Sequence, residues 1–281
     1  MAEYAYRILN VFARAGRLTG NPLCVFEDAQ GLDEGTMQAL ARQFNLSETT
    51  FILPSAKATA RVRIFTPSYE MPFAGHPTLG TAHVVRALAG GGDAVALEMK
   101  AGIIPVSAQG DRWTLQAVAP RSRAFELHRA ELEDILGLQA GDVAEWPLWV
   151  NAGKEQLIVP LASPEAVRRA RPKAGAFARV KSVDGQSMAY VFHDAGDAAG
   201  AVEARFFFPD AAAILEDPAT GSGCANLGGW FTVIRPRDNI VRTVSQGEAV
   251  KRPSTLYLDV THGAIHVGGE VIELGRGAVR P

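Results

Sequence analysis

The strongest constraint on this chain is that it repeats itself. Arg63-Ile-Phe-Thr-Pro67 returns as Arg205-Phe-Phe-Phe-Pro209, matching at Arg and Pro with an offset of 142 residues. Glu70-Met-Pro-Phe-Ala-Gly-His76 returns as Glu216-Asp-Pro-Ala-Thr-Gly-Ser222, matching at Glu, Pro and Gly with an offset of 146. The matches keep their order, fall at strand ends and precede the same kind of helix, which points to a duplicated half. At 281 residues the chain is also too long for one ordinary core, so two domains are expected. The expected division is residues 1–120, with room for the C-terminal strand 271–281 to rejoin them, and residues 121–270.

Each copy has the same local reading. In the first, strands are predicted over Tyr6–Phe12 and Leu23–Phe26, and a helix over Asp33–Phe44. Asp33 is its N-cap, and Met37, Leu40, Ala41 and Phe44 recur at helical spacing. Thr49–Leu53 and Arg61–Phe65 read as paired strands. Pro67, Pro72 and Pro77 then punctuate a loop before a helix over Thr78–Leu88. In the second, strands over Met188–Phe192 and Glu203–Phe208 lead through a loop to a helix beginning near Ser222.

The repeat has a chemical consequence. A helix start exposes unpaired backbone N–H groups and a partial positive charge, which attract an anion. Gly75 and Gly221 permit close backbone approach there. If the two copies face each other, two helix starts converge on one cleft, and a substrate carboxylate is the natural guest.

Three side chains accompany those glycines. His76 follows Gly75, and an ordinary imidazole titrates close enough to neutrality to exchange a proton. The plainer reading is a loop histidine bonded to a backbone carbonyl. Asp217, in Asp217-Pro-Ala-Thr-Gly-Ser222, reads equally as a turn aspartate or as a group carried to the cleft with Gly221 and Ser222. Glu48, at the edge of an apolar strand, reads as a surface glutamate or as a carboxylate whose partial desolvation suits it to acid–base work.

Other chemistries find less support. Formal net charge is −2, with no basic face for nucleic acid. No apolar run approaches the ~20 residues of a membrane span, and the start lacks the pattern of a secretory signal. The two cysteines show no disulfide framework or metal spacing, so a cytoplasmic location is expected. His262 and His266 flank a glycine in β-like surroundings, and no metal is expected there. Gly221-Ser-Gly223 lacks the third glycine of a dinucleotide loop, since position 226 is Asn. Ser222, His76 and Asp217 lack the elbow of a serine hydrolase.

Pro72-Phe-Ala-Gly-His-Pro-Thr-Leu-Gly80, Asp217-Pro-Ala-Thr-Gly-Ser222 and Ser47-Glu-Thr-Thr-Phe51 resemble the signature segments of the PhzF-like phenazine-biosynthesis isomerases. Asn21-Pro22 and Gln246-Gly247 with Arg252-Pro253-Ser254 extend the likeness, although Lys251 stands where a glycine is usual. The resemblance implies an α+β fold of two pseudo-symmetric diaminopimelate-epimerase-like domains, each a mostly antiparallel sheet wrapped around a central helix. It also implies a site in the cleft, a homodimer and no cofactor. Glu48 matches the acid–base glutamate. His76, Asp217 and Ser222 match substrate-orienting residues, and the backbone of Gly75 and Gly221 matches the carboxylate cradle. Racemases of the wider superfamily place a cysteine ahead of each helix, where this chain has Ala74 and Thr220. The expected function is therefore an isomerase that moves a proton on a small carboxylate substrate by general acid–base catalysis. The alternatives are an epimerase or racemase of an amino or hydroxy acid, and a non-catalytic carboxylate-binding relative.

Overall fold

In a computed structural model the described residues are 2–144, 146–196, 199–210 and 213–281. They form two compact units, residues 1–116 with 268–281, and residues 117–267.

The first unit contains β1 (Tyr4–Ala13), β2 (Asn21–Phe26), α1 (Glu34–Phe44), β3 (Glu48–Leu53), β4 (Ala60–Phe65), β5 (Glu70–Met71), α2 (Gly75–Leu88), β6 (Ala94–Met99), β7 (Gly102–Gln109) and β8 (Arg112–Gln116). The second contains β9 (Arg121–Ala124), α3 (Arg129–Leu136), β10 (Leu148–Asn151), β11 (Glu155–Pro160), α4 (Pro164–Arg169), α5 (Ala174–Phe177), β12 (Ala189–Asp194), β13 (Ala201–Asp210), β14 (Ala213–Asp217), α6 (Gly221–Ile234), β15 (Ile240–Gln246) and β16 (Ser254–Thr261). The last strand, β17 (Ala264–Val279), begins in the second unit and returns to pair antiparallel with β1 in the first.

Strand pairing repeats between the units. In the first, β2 pairs parallel with β3, β3 antiparallel with β4, β4 antiparallel with β5 and parallel with β6, and β6 antiparallel with β7. In the second, β11, β12, β13, β14, β15 and β16 pair in the same sequence of senses. Each loop that follows the repeated proline includes a short strand, β5 or β14, which the proline-rich sequence concealed.

Each unit has a helix among its strands. The first packs α2 against β1, β2, β3, β4, β6, β7 and β8; the second packs α6 against β9, β10, β11 and β16. Every residue from Gly223 to Phe231 in α6 is buried, as is every residue from His76 to Ala82 in α2. A helix enclosed on all sides has no need of a polar face, so its sequence carries little amphipathic period. A one-sided apolar stripe would not describe α2, and Ala89 is exposed beyond its last turn. That helix also starts at Gly75, three residues before the expected Thr78. Pro77 fits within the first turn, where its missing N–H costs nothing.

By contrast, α1 lies on the outside of its sheet. Asp33 caps it, accepting from the Thr36 N–H at 2.7 Å, an interaction contributing about 1 kcal/mol. Met37, Leu40 and Ala41 are buried against Cys24, Phe26, Phe51 and Phe65, with Phe44 packed on the margin. The rings of Phe26 and Phe51 stack at 4.8 Å.

Candidate active site

In the first unit, Glu48 opens β3 and His76 lies in the first turn of α2. Side chains of Glu48 and Thr50 share one face of the strand. From that face the Thr50 hydroxyl bonds the Thr81 hydroxyl at 2.8 Å in the buried interior, tying strand to helix. Glu48 Oε2 thereby comes within 3.5 Å of His76 Nδ1, with the two side chains only 15% and 7% exposed. Burial pushes the His76 imidazole down to about 3, against the pull of the nearby Pro22 carbonyl. An imidazole held that low is neutral near pH 7. Its Nε2 and the Thr49 hydroxyl are buried without a hydrogen-bond partner among the described residues.

In the second unit, Asp217, Gly221 and Ser222 lie together where β14 passes into α6. The Thr220 hydroxyl donates to Asp217 Oδ2 at 2.5 Å. Gln246, buried at the end of β15, locks that turn by donating to the Asp217 carbonyl at 2.8 Å and to Thr220 Oγ1 at 3.0 Å. Gly247 lets the turn close: a Cβ there would stand 2.5 Å from the Pro218 carbonyl oxygen. Ser222 Oγ accepts from Gln156 Nε2 at 2.9 Å.

Ala74 and Thr220 occupy the N-cap positions of α2 and α6, and neither side chain caps its helix. No acidic residue stands in either first turn. Both α1 and α4, by comparison, are capped by Asp33 and Ser163. The helix starts next to the candidate residues therefore keep N–H groups that their own caps do not satisfy, an arrangement suited to an anionic ligand.

The turn ahead of each helix is held by one repeated device. Arg63 Nε and Nη2 grip Glu70 at 2.8 and 2.6 Å, and Arg205 Nε and Nη2 grip Glu216 at 3.1 and 2.6 Å. Each guanidinium lies over a phenylalanine of its own strand, Phe65 at 5.0 Å or Phe207 at 4.7 Å. The matching Arg and Glu of the sequence repeat are thus the residues that fix the turn, rather than residues of the chemistry.

Where the copies differ is equally informative. Thr49 pairs with Phe65 as Ala189 pairs with Phe207, so Glu48 maps onto Met188. The duplicated scaffold carries its acid–base candidate in one unit only. Neither cysteine stands at a helix cap, and burial pushes both thiols far above their ordinary range. Tyr69, just ahead of β5, is 60% exposed. His83 accepts from Trp113 Nε1 at 3.3 Å, a packing role.

Several residues of these two sites escaped sequence reasoning. Gln246 stands out in the sequence only within a late segment and Asn226 only as a missing glycine, while Gln156 and Tyr190 carry no local signal. Tyr190 lies against Gly223, where a Cβ would meet its ring at 2.4 Å, and its buried hydroxyl has no partner among the described residues.

This sheet-rich scaffold superposes on solved proteins of the phenazine-biosynthesis PhzF family. A family model described as phenazine biosynthesis-like protein, PhzC-PhzF, matches residues 9–276. An uncharacterised isomerase of Pasteurella multocida is 35% identical over 99% of this chain and 94% of its own. The trans-2,3-dihydro-3-hydroxyanthranilate isomerase of Pseudomonas aeruginosa is 33% identical over 90% of this chain and 89% of its own. A PhzF-family phenazine biosynthesis protein of Bacillus anthracis superposes with a TM-score of 0.88 at 24% identity, covering all of both chains. The chain belongs to the PhzC-PhzF phenazine biosynthesis-like family, and with it to the isomerases.

Proposed function

We propose that this isomerase moves a proton on a small carboxylate substrate without a cofactor, with Glu48 as its acid–base group. In the first unit, N–H groups around Gly75 offer hydrogen bonds to a substrate carboxylate and His76 orients the reacting skeleton beside Glu48; in the second, Gly221, Ser222 and Asp217 form the matching anion-binding turn. Glu48 removes a proton from a carbon adjoining a double bond, and the electron pair of the broken C–H bond enters the conjugated system. Glu48, now protonated, returns the proton at another carbon, so the double bond shifts and no electron is gained or lost. A cyclic dihydroaromatic acid fits this chemistry, and a relative is named for trans-2,3-dihydro-3-hydroxyanthranilate.

The observation that carries the reading is Glu48 beside buried His76 at an uncapped helix start, with Met188 in the duplicated place. Turnover of trans-2,3-dihydro-3-hydroxyanthranilate in deuterated water provides the test. Glu48→Gln should lower the rate by the ~10²–10⁴-fold expected for loss of a general base. Full activity in that variant would remove Glu48 from the mechanism. Solvent deuterium at an α-carbon without a change in double-bond absorbance would instead mark an epimerase. A cytoplasmic homodimer goes with this reading, the dimer being measurable by light scattering.

A further inference from the structure

Resting on the proposed role of Ser222, we infer that Gln156 and Asn226 are positioning residues that commit the Ser222 hydroxyl to donate its hydrogen to the substrate's anionic group. The polarity of that hydroxyl is set by the backbone, through two side-chain amides.

The chain begins at groups whose roles cannot reverse. The Ala152 N–H can only donate, and it donates to Asn226 Oδ1 at 2.7 Å. The Lys154 carbonyl can only accept, and it accepts from Asn226 Nδ2 at 2.8 Å. An amide whose oxygen and nitrogen are both claimed by backbone has one orientation, where an isolated one could flip. The remaining Nδ2 hydrogen of Asn226 goes to Gln156 Oε1 at 2.8 Å. That contact fixes the second amide in turn, so its Nε2 faces Ser222 Oγ at 2.9 Å as a donor.

Ser222 thus receives a hydrogen bond from Gln156, and no described residue accepts its own hydrogen. Asn226 and Gln156 are 0% and 2% exposed, so water does not compete along the relay. Ser222 and Asn226 are four residues apart on α6 and share a face, over the turn between β10 and β11 that supplies both backbone anchors. The same Asn that spoils a dinucleotide motif therefore has a positive use. Hydrogen bonds in a chain polarise one another, so an anion accepting from Ser222 strengthens each link behind it.

The test is a double-mutant cycle on binding of 3-hydroxyanthranilate, a stable aromatic carboxylate, by calorimetry. Ser222→Ala should weaken binding roughly tenfold, the scale of a hydrogen bond to a charged group. Gln156→Met and Asn226→Asp should each weaken it by a similar factor, raising KM more than they lower kcat on trans-2,3-dihydro-3-hydroxyanthranilate. In the Ser222→Ala background both effects should shrink to under about twofold. A Gln156 or Asn226 effect that persists undiminished without Ser222 would overturn the relay and leave Ser222 as a binder. If Ser222→Ala alone changes nothing, the binding role of Ser222 falls first and takes the relay with it. Should those variants not fold, the intact protein decides. Saturating 3-hydroxyanthranilate should shift the side-chain amide proton of Gln156 downfield, and an unmoved resonance rejects the inference.

Discussion

His76 offers a quantitative test because its two environments differ so sharply. An ordinary imidazole binds its proton at about 6.5, whereas full burial holds His76 at about 3. Between those values the unfolded chain carries a proton at this residue that the folded chain refuses. The unfolded state therefore binds more protons, and folding stability falls as pH falls. The His76 contribution is fully present above about pH 6.5 and is lost progressively towards pH 3. Lowering the pH from 7.5 to 5.5 should remove about 1.4 kcal/mol through this one group, rising to about 4–5 kcal/mol near pH 3. His76→Gln cannot titrate, so the wild-type-minus-variant difference in urea unfolding isolates the effect from every carboxylate. Imidazole NMR gives the direct readout, with the His76 signals unchanged between pH 8 and 5. Glu48 Oε2, 3.5 Å from Nδ1, favours the imidazolium and opposes the effect of burial. A His76 resonance titrating near 6.5 or above, or a flat difference in stability, would refute the argument from burial.

Three further outcomes follow from the same reasoning. Cys24 and Cys224 are buried with their thiols pushed far up, so at pH 8 neither should react with iodoacetamide until denaturant is added; prompt labelling with loss of turnover would bring a thiol mechanism back. Arg205 and Glu216 are 7% and 8% exposed, so Arg205→Met, which strands a buried carboxylate, should cost about 3–5 kcal/mol in urea unfolding, and adding Glu216→Leu should recover most of it. Arg63→Met should cost less, because Lys100 remains on Glu70. Equal losses in the single and double Arg205 variants would show that the arginine acts through packing alone.

Much of this protein was legible in the sequence because local chemistry left marks there. Turn-forming prolines, paired Arg and Glu residues and two glycines announced the duplication. The Asp33 cap and the spacing of Met37, Leu40 and Ala41 announced α1, a helix with one face to solvent. The helices α2 and α6 were harder to bound. Buried along most of their length, they carry little polar period, and prolines masked both the early start of α2 and the short strands ahead of the two helices.

What the sequence determined by itself was the repeat, the helix starts and the absence of cysteine from the two cap positions, since each is a matter of residue type at fixed spacing. Only the tertiary structure decided that Glu48 meets His76, that burial pushes that imidazole down, and that Met188 is the counterpart of Glu48. Only it joined Gln156 to Asn226 and Ser222, residues up to 70 positions apart. Those facts depend on strand register and on exclusion of water, and neither is written in any local run of residues.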